Sequence, residues 1–258
     1  MSVIRVENLD KSIRGKVILE DLSFTVERGD CLALIGPNGA GKSSFLRHVL
    51  AFLKTESKES MKIGDVPADD YPRKKLARLL SFVPQKTDIE TDFTAEEIVM
   101  TGRTPYQGRF EGTSIGDKEA VYRAFSLTKA DKLKDKKFAV LSGGEKQKIV
   151  IARAVAQNTP WMLLDEPIAS LDIKNQIEIM KTLSELNRQE GVSVLMVLHD
   201  INLAGIYCDR LIMLKDGQVI AAGNTNECLC EENLKKLYDI SFFHMDTKKG
   251  QRYYYAEV

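Results

Sequence analysis

Hydrophobic positions along this chain fall into two alternating rhythms. Mostly apolar runs of strand length occur at Cys31-Leu32-Ala33-Leu34-Ile35, Leu79-Leu80-Ser81-Phe82-Val83, Trp161-Met162-Leu163-Leu164 and residues 192–198. Between them apolar residues step by three and four. Phe45, Leu46, Val49, Leu50 and Leu53 predict a helix from Ser43 onward, and Ile149, Val150, Ala154 and Val155 predict a second. Residues 1–7 alternate like a strand. Strands alternating with helices predict an α/β fold.

The segment after the second run has a different character. Thr94-Ala95-Glu96-Glu97 is a capping box ahead of Ile98, Val99 and Met100, followed by a Gly-rich connection over 102–116 and a helical stretch near 119–127. This pattern predicts an inserted helical arm. The charge run at 132–137 belongs on a solvated surface. Residues from about 228 to 258 form a small appendix, helix then strand, with Tyr253-Tyr254-Tyr255 on an edge strand.

Candidate chemistry begins between the first strand and its helix. Gly36-Pro37-Asn38-Gly39-Ala40-Gly41-Lys42-Ser43 fits G-x-x-x-x-G-K-[ST] in the strand–loop–helix context that motif requires. Glycines let successive backbone N–H groups curl round a phosphate, and the helix N-terminus adds a favourable dipole. Lys42 is expected to reach the β and γ phosphates of ATP, and the Ser43 hydroxyl to ligate Mg²⁺, with the binding stretch running on to Ser44.

The run at 161–164 delivers Asp165 and Glu166 at its C-terminal end, where ligands bind in open α/β sheets. Asp165 is expected to hold Mg²⁺ through water, and Glu166 to polarise the attacking water as general base. Asp-Glu-Pro can also close a plain turn, but the phosphate loop upstream favours the catalytic role. About twenty residues earlier in the chain stands Leu141-Ser142-Gly143-Gly144-Glu145, in which Ser142 and Glu145 form a capping box. The N-terminus of the helix it opens is a second anion site.

Together these motifs resemble the ATP-binding cassette (ABC) family. Six family features appear in the family's order: the phosphate loop, Gln85 after the second strand, the signature at 141–145, the acidic strand end Asp165-Glu166, the turn Ser170-Leu171-Asp172, and His199 after the run at 192–198. The resemblance covers about residues 3–223. It implies a P-loop NTPase core with a mostly parallel sheet, an N-terminal antiparallel β part and an inserted α-helical subdomain. Within one domain spanning 1–258, residues 1–84 and 159–258 would form the nucleotide-binding core and 85–158 the insert that carries the signature. The family places Ser142, Gly143, Gly144 and Glu145 against the ATP held by another copy, so that a homodimer sandwiches two ATPs head to tail, with Asp172 also at the nucleotide. Gln85 would serve catalysis and the Mg²⁺, and His199 would sense the γ-phosphate. His48 and His244 carry no motif and are assigned structural roles.

Such a subunit would sit peripherally on the cytoplasmic face of the membrane, driving a polytopic permease fed by an extracytoplasmic substrate-binding protein. Thr101-Gly102-Arg103-Thr104-Pro105-Tyr106-Gln107 and Leu198-His199-Asp200-Ile201-Asn202-Leu203-Ala204 narrow the resemblance to importers of ferric siderophores, haem and vitamin B12. GRTPY can also be a plain turn on the arm. The alternative is a soluble ATPase of the same family without transport, such as an iron–sulfur cluster assembly factor.

Composition sets outer bounds. Among 258 residues, 37 basic side chains balance 37 acidic ones, so net charge gives no general attraction for nucleic acid. No apolar run approaches the roughly 18 residues of a membrane helix, and the N-terminus lacks a signal-peptide core, which predicts a cytoplasmic chain. Cys31, Cys208, Cys228 and Cys230 show no metal-site spacing and are expected reduced.

Two departures from the family pattern stand out. Ile13 occupies the position where the family usually stacks an aromatic on adenine. Either Ile13 packs on the base or Arg14 supplies a cation–π contact, and weak discrimination between ATP and GTP is the expected result. Glu145 replaces the usual Gln, and caps the helix equally well.

Overall fold

The computed structural model describes residues 3–13, 15–85, 91–108, 112–248 and 250–257. Arg14 lies outside the described residues, as does the side chain of Ile13, so the position expected against the base is not covered. The chain divides into two compact units, Met1–Tyr71 with Ser193–Val258, and Pro72–Val192.

In the first unit, an antiparallel sheet runs in the order Lys16–Val26, Ile4–Ile13, Met61–Ile63, Val66–Pro67. Alternation places Ile4, Val6 and Leu9 inside with Leu19, Leu22 and Val26. Its second sheet portion is built on Cys31–Ile35, which pairs in parallel with Ser193–Val197 on one side and Arg210–Lys215 on the other. Gln218–Asn224 then adds antiparallel to Arg210–Lys215. Every residue of Cys31–Ile35 and Ser193–Val197 is buried, which is why both lack a polar alternate face.

The predicted helix after the phosphate loop runs Lys42–Val49, shorter than its apolar stripe. Ala51 takes φ 50°, and the amides of Phe52 and Leu53 turn back to the Arg47 carbonyl, at 2.8 and 3.2 Å. The appendix is the helix Glu231–Tyr238 followed by a hairpin, Phe242–Asp246 with Arg252–Ala256, one strand more than expected.

The second unit pairs Leu80–Val83 in parallel with Trp161–Asp165, again a fully buried strand. Helices Ala95–Met100 and Ile115–Leu127 both pack on Gly143–Ala156, and Ile173–Glu190 completes the set. The capping box at Thr94 and Glu97 forms as expected. Another at Ser114 and Asp117 starts the arm's long helix earlier than its apolar residues indicate. The GRTPY segment is a 3-10 turn at Thr101–Arg103 whose Arg103 is buried. Its guanidinium donates to Asp117 Oδ1 at 2.9 Å and to the Ala156 carbonyl at 2.7 Å, and lies 4.0 Å from the centre of the Tyr106 ring.

Candidate active site

The first unit holds the phosphate loop. Strand Cys31–Ile35 runs into Gly36, whose φ is 152° and where an added Cβ would stand 1.9 Å from the Leu214 carbonyl oxygen. Only glycine fits there, so the loop is pressed against the neighbouring strand and turns sharply. Gly39 and Gly41 also have positive φ, 83° and 100°. Helix Lys42–Val49 opens from Gly41 with no side-chain cap and no acidic residue in its first turn. Its positive dipole end therefore faces the loop without an acidic neighbour in the first turn. Lys42 is 5% exposed, and its Nζ donates to the carbonyls of Gly36 and Pro37, both at 2.8 Å. The ammonium is thus folded back over the loop, a cradle suited to a triphosphate. Ala40 is buried, Pro37, Ser43 and Ser44 are half-buried, and Asn38 and Gly39 are exposed.

The same unit carries His199. Buried Leu198 ends the apolar run, His199 is exposed, and Asp200 caps helix Ile201–Tyr207 by accepting from the amides of Asn202 and Leu203 at 2.8 and 2.9 Å. Asn202 in turn pairs its amide with the backbone of Tyr254, at 3.1 and 2.8 Å, tying the C-terminal hairpin to this helix.

The second unit brings together Gln85, Asp165 and Glu166. Asp165 closes the buried strand and is 8% exposed. Glu166, next in sequence, adopts φ 49° directly before Pro167. A left-handed Glu costs about 1–3 kcal/mol and persists where surrounding structure enforces it, commonly at functional sites. Gln85, at the exposed end of the second strand's exit, donates Nε2 to Glu166 Oε2 at 2.6 Å. The carboxylate is therefore oriented by an amide that sequence alone placed about eighty residues away.

Also in this unit, the signature forms the expected capping box. Glu145 N donates to Ser142 Oγ at 3.4 Å, and Glu145 Oε2 accepts from Ser142 N and Oγ, both at 2.9 Å. The Ser142 amide, then its hydroxyl, holds the Glu145 carboxyl below its usual range. Gly143 is exposed and Gly144 buried. Asp172 caps helix Ile173–Glu190, its Oδ1 accepting from Asn175 N and its Oδ2 from Asn175 Nδ2, both at 2.9 Å. Asn175 escaped sequence reasoning because it belongs to none of the six motifs; its only signal is a position three residues after a capping Asp. Gln147, one turn beyond Gly144, also escaped notice and is buried, with no hydrogen-bond acceptor for its Nε2 among the described residues.

Residues 19–169 match the family model described as ABC transporter. The chain belongs to the ABC transporter family. This ABC ATPase is 36% identical to the petrobactin import ATP-binding protein YclP of Bacillus subtilis, over 93% of this chain and 94% of that one. It is 32% identical to the hemin import ATP-binding protein HmuV of Shewanella denitrificans, covering 94% and 96%. Among solved structures, a chain of an ABC transporter described as of metal-chelate type, captured facing inward, superimposes with TM-score 0.87 at 27% identity, covering 100% of this chain and 98% of that chain. The ABC ATPase binds ATP, and no helix among its described residues is long and apolar enough to cross a membrane.

Proposed function

We propose that this ABC ATPase powers an importer of iron–siderophore, haem or cobalamin-type chelates, working from the cytoplasmic face of the membrane on a polytopic permease supplied by an extracytoplasmic binding protein. The observation that carries this reading is that its import relatives align along more than nine-tenths of this chain and of their own.

In this reading Lys42 and the backbone of 36–41 hold the triphosphate, and Ser44 extends the cradle. Ser43, Gln85 and Asp165 offer a hydroxyl, an amide carbonyl and a carboxylate, the hard oxygen donors that suit Mg²⁺. That ion, when bound, neutralises charge on the phosphates. Glu166 takes the proton from the attacking water, Gln85 orients Glu166, and His199 senses the γ-phosphate. Ser142, Gly143, Gly144 and Glu145 offer a helix N-terminus to the nucleotide of a second copy, so two chains close head to tail and part after hydrolysis. Residues 1–84 and 159–258 act as the nucleotide core and 85–158 as the arm that meets the permease.

Mass spectrometry of what copurifies with the tagged chain from gently solubilised membranes of its host tests this. A polytopic permease with a substrate-binding protein is the expected result. Recovery of soluble partners alone would overturn the importer reading in favour of a non-transport ATPase.

A further inference from the structure

The signature and the Asp172 turn lie on different helices of one unit, yet one side chain touches both. At Gly144 an added Cβ would stand 2.7 Å from Cγ and Oδ1 of Asn175 and 2.9 Å from its Nδ2. The whole amide of Asn175 is therefore stacked on the first turn of Gly143–Ala156, in the space any other residue at 144 would fill. The same amide donates Nδ2 to Asp172 Oδ2 at 2.9 Å, while the Asn175 backbone N–H donates to Asp172 Oδ1 at 2.9 Å. Asp172 can accept both because it is an N-cap, and Asn175 is fixed in rotation because one face meets backbone and one edge meets a carboxylate.

We propose that Asn175 is a positioning residue that fixes the signature's first turn relative to the Asp172 turn within one chain. This rests on the head-to-tail reading above for its consequence: a displaced signature presents its N–H groups to the second copy's nucleotide at the wrong place. Small misplacements of this kind cost rate steeply, whereas binding of ATP to the chain's own loop is untouched. Asn175→Ala removes the tie, and Asn175→Asp keeps the shape but sets one carboxylate against another.

The test measures kcat, affinity for a fluorescent ATP analogue and thermal midpoint for the full chain and these variants. Asn175→Asp and Asn175→Ala should each lower kcat, Asn175→Asp about tenfold or more, with nucleotide affinity within about twofold of the parent. A role confined to stability would lower the thermal midpoint without this split between kcat and nucleotide affinity. Unchanged kcat in Asn175→Asp, or a loss of kcat matched by an equal loss of nucleotide affinity, overturns the proposal. Repeating Asn175→Asp in a Glu166→Gln background separates the two ideas. Failure of Glu166→Gln itself to dimerise with ATP counts against the head-to-tail reading, and a dimer formed equally well with Asn175→Asp added counts against Asn175.

Discussion

Gln85 donates its side-chain amide to Glu166, Nε2 to Oε2 at 2.6 Å, and so holds the proposed base from a loop on the neighbouring strand. The strained backbone of Glu166, at φ 49°, points its carboxylate away from the direction that the buried strand before it would give. Orientation of the base therefore depends on two things, a left-handed residue and an amide partner. Gln85→Ala is expected to lower kcat by about 10- to 100-fold with ATP affinity little changed, as for loss of a group that orients a base. Steady-state hydrolysis with parallel nucleotide titration checks this.

Lys42 makes the opposite prediction. Its ammonium lies over the phosphate loop, bonded to the Gly36 and Pro37 carbonyls at 2.8 Å. Lys42→Ala should weaken ATP binding itself, by about tenfold or more, as expected from losing a charge-assisted contact worth roughly 1.5–3 kcal/mol. Equilibrium titration with a fluorescent ATP analogue measures it directly.

Arg103 should matter for stability and not for nucleotide. It is buried with Asp117, the Ala156 carbonyl and the Tyr106 ring as partners. Arg103→Ala removes the charged partner of the buried Asp117 carboxylate, which keeps only its Ser114 hydrogen bonds, and takes a donor from the Ala156 carbonyl, with an expected loss of about 3–5 kcal/mol of unfolding free energy. Urea denaturation should show this loss while ATP affinity in the folded protein stays within about twofold.

Two buried groups contribute to the acid limb of stability. Burial pushes the His48 imidazole below its usual value, so the unfolded chain takes up a proton first as pH falls. Stability linked to His48 is complete above about pH 6.5 and declines as pH drops below that value. Asp117 is held below the usual carboxylate range by Arg103, then by Ser114. Its contribution is present above about pH 4 and is lost as pH falls further. Unfolding free energies measured from pH 8 to 3 should include both declines. His48→Leu should flatten the first, and Asp117→Asn the second.

Much of this architecture was legible because the relevant interactions are local. The fully buried strands show as mostly apolar runs, and the Thr94–Glu97 and Ser142–Glu145 caps involve residues three apart. The phosphate loop could be placed because strand, glycines and helix are contiguous. What escaped depends on contacts between distant segments. Nothing near Asn175 announces Gly144, which is 31 positions away, and nothing near Gln85 announces Glu166, which is 81 away. GRTPY had two possible meanings in the sequence. In the structure its Arg and Tyr pack the arm, which gives the segment a structural use whatever else it meets. The appendix's first strand was missed because Phe242 and Phe243 stand side by side, which breaks the alternation that marks a strand; Phe242 approaches Tyr238 while Phe243 stacks on Tyr255.

The central claim is that ATP closes two copies of this chain upon each other through the signature. Glu166→Gln, which should slow hydrolysis by about 10²- to 10⁴-fold while retaining binding, allows the closed state to accumulate. Its mass in solution by light scattering, with and without ATP, is the most direct measurement. The account predicts a monomer without nucleotide, a dimer with ATP, and no dimer when Ser142→Arg is added. A mass that does not change with ATP, or a dimer indifferent to Ser142→Arg, would contradict it.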